Sequence, residues 1–550
     1  MDGQISRKNL FLAAFTGIAL PSTVRNAFAQ TTGSFSLDDI AAMERVIGFS
    51  LTADQRKSLQ PSIKELRDQN LALSNLKLPN WVAPAFAFHP VGRQPAESKR
   101  TEVRLSKRPA PTFKSDDDLA FMSVADLGVL LRKKQVTSVK LTELFLRRLK
   151  TYGPKLLCVI DLLEERAMRE AKQADEEIAK GKIRGPLHGI PYGIKDLFST
   201  SEGRTTWGAG PYRDQKFNED SAVVEKLRAA GAVLCAKLSL GALAMNDVWF
   251  EGTTKNPWNP AQGSSGSSAG SASSVAAGLL PFAIGTETLG SIVSPSHRCR
   301  VTGLRPTFGR VSRYGAMALS WTMDKVGPIV RFAQDAAPIL AAIHGKDPRD
   351  TSTVDRPFSY RPDIDFGKLK IAVLQNDTAL DEDDKEGGPD EALKILKSLG
   401  VKVEKVKFTP PLDGADYCLS VEAAAAFDEL TRGPGIENLK NSMWPAIFRA
   451  NEFGTGVSYV QSMRARTRVM ETFEKELAPF DAVLTSDRGS FLLITTNLTG
   501  HPQLYVPMGN GRGVSLIGHL YDEGLLIALG EAIQAKTGTP LLRPDLTKFA

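Results

Sequence analysis

Beyond residue 119 the apolar positions of this chain alternate between two periods. Residues 136–152 and 164–179 carry them at helical spacing, the second segment being rich in Glu, Lys and Ala. The turn Gly185-Pro186-Leu187-His188-Gly189-Ile190-Pro191 follows. A helix over 221–230, Gly231 and an apolar strand over 232–236 form the next unit, and 369–374, 391–399 and 401–408 repeat strand, helix, strand. Strands alternating with helices predict an α/β fold, and with no repeat of solenoid period one large layered domain is the economical reading. Upstream, Ile40, Met43, Val46 and Ile47, then Leu59, Ile63 and Leu66, predict a small helical region that ends by Pro79. The proline-rich, basic stretch over 79–115 reads as a linker. The expected organisation is therefore an amino-terminal segment over 1–29, a helical region and linker over 30–115, and a main domain over 116–550.

That first segment has the form of an export signal. Arg7 and Lys8 precede the apolar run from Leu10 to Leu20, and Ala27-Phe28-Ala29 offers a small-x-small cleavage site that would leave Gln30 as the first residue. Ser6-Arg7-Lys8-Asn9-Leu10-Phe11 approximates a twin-arginine signal with lysine in second place. The run is too short to span a bilayer, so no stable membrane span is expected. The expected location is periplasmic or secreted, and cytoplasmic if the signal is not used.

Charge narrows the partner classes. The 69 basic and 62 acidic side chains leave +7, with a basic excess around Arg93, Lys99, Arg100, Arg104, Lys107 and Arg108. Pro109 and Pro111 interrupt it, Asp116, Asp117 and Asp118 follow, and no aromatics are interleaved, so a solvated linker fits better than a nucleic-acid surface. Cys158, Cys235, Cys299 and Cys418 form neither a C-x-x-C pair nor a cluster with histidine at ligand spacing. Buried thiols are expected, although an exported chain leaves one or two disulfides open.

The chemistry concentrates in Gly263-Ser264-Ser265-Gly266-Ser267-Ser268-Ala269-Gly270 and the small residues to Gly278, then in Gly285-Thr286-Glu287-Thr288-Leu289-Gly290-Ser291-Ile292. A flexible linker has no reason to pass into a small-residue helix, an apolar strand over 279–284 and a second Gly/Ser turn. Such turns bring backbone N–H groups against an anion. A phosphate loop would need Gly-Lys-Ser/Thr after it, which neither turn has, so a developing oxyanion is the better fit.

Residues 263–306 resemble the signature of the amidase signature family, which includes fatty-acid amide hydrolases, bacterial amidases and the A-type chains of glutamyl-tRNA amidotransferases. The likeness extends upstream through Gly189-Ile190-Pro191-Tyr192-Gly193-Ile194-Lys195-Asp196, similar to the family's Gly-x-Pro-x-x-x-Lys-Asp block, and through 220–237. Downstream it takes in Phe308-Gly309-Arg310-Val311-Ser312-Arg313, Thr496-Asn497-Leu498-Thr499-Gly500-His501-Pro502 and Val506-Pro507, so that 119–545 are covered. The resemblance implies a large mixed, mostly parallel sheet covered by helices on both faces. It implies Lys195 as base, Ser267 as a bridging serine in a cis peptide and Ser291 as nucleophile, with the N–H groups of Thr288, Leu289, Gly290 and Ser291 holding the oxyanion. Gly266, Ser268 and Glu287 would support them, without metal or organic cofactor. The implied reaction is hydrolysis of a carboxylic amide through a seryl acyl-enzyme. Chemistry agrees, because a lysine withdraws a hydroxyl proton only when neutral, which requires burial to lower it from ~10.4 toward 7, about 4 to 5 kcal/mol. Asp196 would oppose this if it faced the amine, so its carboxylate is expected to point elsewhere.

Three positions depart from the family pattern: Leu289 where a second glycine is common, Val293 where arginine normally follows the nucleophile's turn, and Arg300 where glycine is frequent. Glu287, whose counterpart pairs with that arginine in many members, is left to Arg298, Arg300 or Arg305, and Leu289 is expected to narrow the space over the oxyanion turn. Gly266-Ser267-Ser268-Ala269-Gly270 also satisfies Gly-x-Ser-x-Gly, but Asn256-Pro257-Trp258-Asn259-Pro260 stands where a nucleophile elbow needs a buried strand. Ser74-Asn75-Leu76-Lys77 with Lys536-Thr537-Gly538 imitates penicillin-recognising boxes without their Ser-Asp-Asn, and Asn376-Asp377-Thr378 and Asn497-Leu498-Thr499 match glycosylation acceptors incidentally. His188 and His297 read as structural. The expected partner is a small-molecule amide, with no nucleic acid; oligomeric state is not fixed by sequence, and a homodimer is one arrangement it allows. Rival readings are a catalytically silent binding protein on the same fold and the A-type component of an aminoacyl-tRNA amidotransferase.

Overall fold

The computed structural model describes residues 35–75, 88–96, 100–106, 111–376, 388–439, 442–509 and 511–549. The expected signal over 1–29 lies outside them, as do Pro79, Lys99, Lys107 to Pro109, Leu76-Lys77 and Asp377-Thr378. The chain divides into two compact units between Ile63 and Lys64. In the first, α1 (Leu37–Ile47) starts at a capping box between Ser36 and Asp39 and ends at Gly48, whose φ of 71° suits glycine. The next helix, α2, spans Ala53–Asn75. Within the first unit Arg56 Nε donates to Glu44 Oε1 (2.7 Å), and burial of that carboxylate leaves Leu51 N–H to bond its other oxygen (3.1 Å).

The second unit is built on eleven strands: β1 (Val159–Leu162), β2 (Pro191–Lys195), β3 (Val233–Leu238), β4 (Phe282–Glu287), β5 (Thr302–Arg305), β6 (Lys325–Val330), β7 (Lys370–Leu374), β8 (Lys402–Val406), β9 (Ala482–Ser486), β10 (Gln503–Pro507) and β11 (Gly513–Gly518). Their order is β8-β7-β9-β11-β10-β5-β6-β4-β2-β3-β1. Every residue of β2 to β6, β10 and β11 is buried. Successive side chains point to opposite faces, so both faces of the sheet's middle are covered. The α/β class and the mixed sheet are as expected, but its direction is not. Parallel pairing is confined to β8-β7-β9 and β4-β2-β3, and six antiparallel pairings make up the rest. Periodicity registers a strand without its direction. Where no helix crosses over, as between β5 and β6 or through the turn in which Met508 N–H bonds Arg512 O (2.8 Å), the chain returns antiparallel.

The helices that bear on the site are α3 (Ser138–Leu156), α4 (Glu164–Ala179), α5 (Ala222–Ala229), α6 (Ala269–Ala276), α7 (Val293–Cys299), α8 (Tyr417–Ala426), α9 (Gly456–Leu477) and α10 (Leu492–Thr499). The basic stretch departs from a solvated linker. Phe88 packs with Phe308 and Met470, Arg93 donates its N–H to Glu474 (2.6 Å) and its guanidinium to the carbonyls of Ala478 and Phe480 (both 3.2 Å), and Glu102-Val103 pairs in parallel with Ser359-Tyr360. Composition marks such a segment as polar, whereas its partners lie hundreds of residues downstream. All four cysteines are buried free thiols, as expected. Among the described residues no helix is long and apolar enough to cross a membrane.

Candidate active site

Parallel strands β2 and β4 end side by side, and ligands of α/β sheets gather at the carboxyl ends of such strands. Lys195 is the last residue of β2 and is fully buried. Its amine donates to Ser267 Oγ (2.7 Å) and to Thr286 Oγ1 (2.9 Å) on β4. Ser267 follows a cis peptide bond from Gly266 and immediately precedes the turn into α6. A Cβ on Gly266 would strike the carbonyl of Asn246, so only glycine fits there. Ser291 lies on the turn between β4 and α7, with 8% of its surface exposed, and its carbonyl accepts the N–H of Ser268 (3.1 Å). The two hydroxyl-bearing turns and the lysine are thus gathered at one end of the sheet.

Burial lowers the Lys195 amine to about 7, against the upward pull of Asp324 and Glu287. Asp196 does turn away: it pairs with the buried Lys237 on β3 (2.9 Å) and accepts the Thr206 N–H (2.7 Å). The amine bonded to Ser267 therefore loses its proton far more readily than an exposed lysine and is able to take one from a hydroxyl.

Glu287 closes β4 and holds the next turn. One carboxylate oxygen accepts the N–H groups of Ile292 and Val293 (2.8 and 3.0 Å), and the other takes Arg305 Nη1 (2.7 Å) and Asn497 Nδ2 (2.9 Å). Burial would raise this carboxyl, but Arg305 and these N–H donors outweigh it and hold it at about 2. A depressed carboxyl stabilises the fold fully above its unfolded value near 4.5 and loses that contribution as pH falls through about 2. Replacing Glu287 by Gln leaves Arg305 buried without its partner and is expected to lower unfolding free energy by about 3 to 5 kcal/mol in urea titrations at pH 7. Gly290 has φ 86°, and among the described residues the N–H groups of Thr288, Leu289, Gly290 and Ser291 donate to no protein acceptor. Four undirected donors beside a hydroxyl can hold a developing oxyanion.

A cavity of about 680 Å³ reaches this end of the sheet through Thr286, Thr288 and Asp324. Asp324, which motif reading missed, stands half-buried ahead of β6; it accepts Thr288 Oγ1 (2.6 Å) and the N–H groups of Leu319 and Ser320 (2.9 and 3.1 Å). A lone aspartate before an apolar strand has no spacing to mark it. Thr286 lies in the second Gly/Ser turn singled out in the sequence, but nothing there assigns its hydroxyl to the lysine.

Comparison with known proteins bears on this geometry. The Amidase family profile matches residues 140–486. The chain belongs to the amidase family. It is similar to the A-type chain of the glutamyl-tRNA(Gln) amidotransferase of Carboxydothermus hydrogenoformans, 31% identical over 490 residues that cover 78% of this chain and 100% of that one. A Mycobacterium tuberculosis chain named as the amidase AmiD is 32% identical over 474 residues, covering 79% and 98%. The native peptide amidase structure from Stenotrophomonas maltophilia superposes with a TM-score of 0.68 at 28% identity, covering 77% and 98%. The fold is the amidase signature fold, and the family places this amidase among hydrolases of carbon–nitrogen bonds.

The departures of this amidase from the family pattern have local explanations. Val293 packs with Leu493 and Tyr505, and Glu287 has turned to Arg305, one of the three arginines expected. Arg300 caps α7 with φ 56°, a conformation that favours glycine, and its guanidinium lies 4.9 Å from the centre of the Trp258 ring. Leu289 is partly exposed on the oxyanion turn and is not among the residues that line the cavity. Ser268, the alternative elbow serine, is buried and spends its hydroxyl on the Thr286 backbone (3.1 Å to the carbonyl, 3.2 Å from the N–H). His188 Nδ1 accepts the Arg184 N–H (3.1 Å), and His297 lies 3.6 Å from Asp487.

Proposed function

We propose that the chain is a free-standing amidase that cleaves a carboxylic amide through a seryl acyl-enzyme, with Ser291 as nucleophile, Ser267 as relay and Lys195 as base. The observation that carries this reading is the buried amine of Lys195, lowered to about 7 and bonded to Ser267 Oγ at 2.7 Å. Ser291 Oγ adds to the amide carbonyl while its proton passes through Ser267 to Lys195, and the N–H groups of residues 288 to 291 take the oxyanion. The tetrahedral intermediate collapses, the C–N bond breaks, and the same relay returns the proton to the departing ammonia or amine. Water then adds to the acyl carbon, giving its proton to the relay, and the ester C–O bond breaks to release carboxylate and restore the Ser291 hydroxyl.

The relatives named as A-type chains of glutamyl-tRNA(Gln) amidotransferases support a second reading, a component that works only with partner chains. The signal-like residues 7–29 support the first, in which an exported chain starts at Gln30. The test is the purified single chain, incubated with a panel of primary, anilide and amino-acid amides. The expected result is amine or ammonia release with no other protein added, from protein recovered in the envelope fraction with Gln30 at its amino terminus. Turnover that arises only when partner chains are supplied would favour the second reading.

A further inference from the structure

We infer that the cavity beside Thr288 receives a planar aromatic group of the substrate, stacked on the indole of Trp321. The inference rests on the amidase reading of the same site and adds the class of amide.

Trp321 lines the cavity with 49% of its surface exposed, whereas among the described residues the other large aromatic side chains are mostly covered. Its exposure is built in. On one side Ser320 donates its hydroxyl to Glu422 of α8 (2.7 Å) and its N–H to Asp324 (3.1 Å). On the other, Thr322 donates N–H and hydroxyl to the same Glu422 (3.0 and 2.8 Å) and accepts Arg466 of α9 (2.7 Å). The Trp321 carbonyl itself accepts Arg313 (2.5 Å). These bonds fix the backbone on both sides of Trp321, and its large apolar ring stands at the open end of a cavity whose inner end meets Thr286 and Thr288.

The rest of the lining favours a neutral ring over an anion. Leu197, Ala244, Met317, Leu319, Val326 and Phe308 supply apolar walls. The two arginines of the rim are already neutralised, Arg313 by Asp350 (3.2 Å) and Arg349 by Asp347 and Glu225 (3.0 and 2.6 Å), and Lys325, the lysine of the lining, donates to the Met323 carbonyl while burial lowers its amine, so a substrate carboxylate would have to displace an existing partner. Apolar walls with a few polar groups, Thr286, Thr288 and Asp324 among them, at the inner end are the pattern of a small-molecule site.

The test separates stacking from plain hydrophobic volume by using matched rings: phenylacetamide against cyclohexylacetamide on the acyl side, and N-benzylacetamide against N-(cyclohexylmethyl)acetamide on the amine side. In at least one pair kcat/KM is expected to favour the aromatic amide by about three- to tenfold, the range of a single aromatic pair. That ratio should fall to near one in Trp321→Ala and persist in Trp321→Phe. Equal or reversed preference in the wild-type enzyme, or a ratio that survives Trp321→Ala, would overturn the inference. Calorimetric binding of the same amides to Ser291→Ala protein reads the stacking without turnover. If neither pair is hydrolysed, the amidase reading is decided by the wider amide panel, while an aromatic preference in binding that Trp321→Ala abolishes still upholds the cavity's assignment and its absence refutes it.

Discussion

Replacing Ser291 by alanine is expected to lower kcat by ~10⁴-fold or more for every amide the enzyme accepts, with KM little changed. A hydroxyl that forms the covalent intermediate has no substitute, and removal of a comparable nucleophile from a serine hydrolase costs up to ~10⁶ in kcat. The residue is small and nearly buried, and its hydroxyl makes no hydrogen bond to another described residue, so the fold loses little with it. Unfolding free energy should stay within about 0.5 kcal/mol of wild type, the usual range for a change that removes no packing or polar partner. The residual rate would come from the backbone donors of residues 288 to 291, which do not depend on the side chain. Steady-state kinetics beside urea unfolding of the two proteins check both halves.

The second large effect concerns Lys195. Lysine to alanine should cost ~10² to 10⁴ in kcat/KM, the range of a lost general base. Its pH signature is more specific than its size. Because burial lowers the amine to about 7 and only the neutral amine accepts a proton, wild-type kcat/KM should rise with pH through a limb near 7 and level off above it. That limb should vanish in Lys195→Ala. Asp324 and Glu287 are the charges that raise this amine, and Asp196, the nearest in sequence, is occupied by Lys237. Lysine to arginine should not rescue, since guanidinium stays charged. A wild-type profile flat from pH 5 to 9 would contradict the role given to Lys195.

What is legible in the sequence follows from which interactions are local. The small-residue helix after Ser268, strand β4 and the turn to Ser291 are readable because glycine and serine at those positions answer to close backbone approach within a few residues. The pairing of Lys195 with Ser267 is reachable only through family resemblance, since 72 positions separate them. Asp324 is out of reach because no motif marks it, and Thr286 and Asn497, though inside quoted motifs, have partners, Lys195 and Glu287, that lie 91 and 210 positions away. Sheet direction is misread because parallel and antiparallel buried strands share one apolar pattern, and only their connections differ. The attachment of Arg93 to Glu474 shows the converse error, in which a basic segment reads as solvated because its partner lies 381 residues away. Loop 317–324 carries the least sequence signal of all, yet it holds Asp324 against Thr288 and Trp321 at the cavity mouth.

The most direct measurement is covalent labelling of the intact protein with a fluorophosphonate, read by whole-protein mass and by sequencing of the modified peptide. One adduct per chain, on Ser291, is expected, absent from Ser291→Ala and much slowed in Lys195→Ala. An adduct on Ser268 or elsewhere, or equal labelling of the Ser291→Ala protein, would contradict the assignment of Ser291 as the nucleophile.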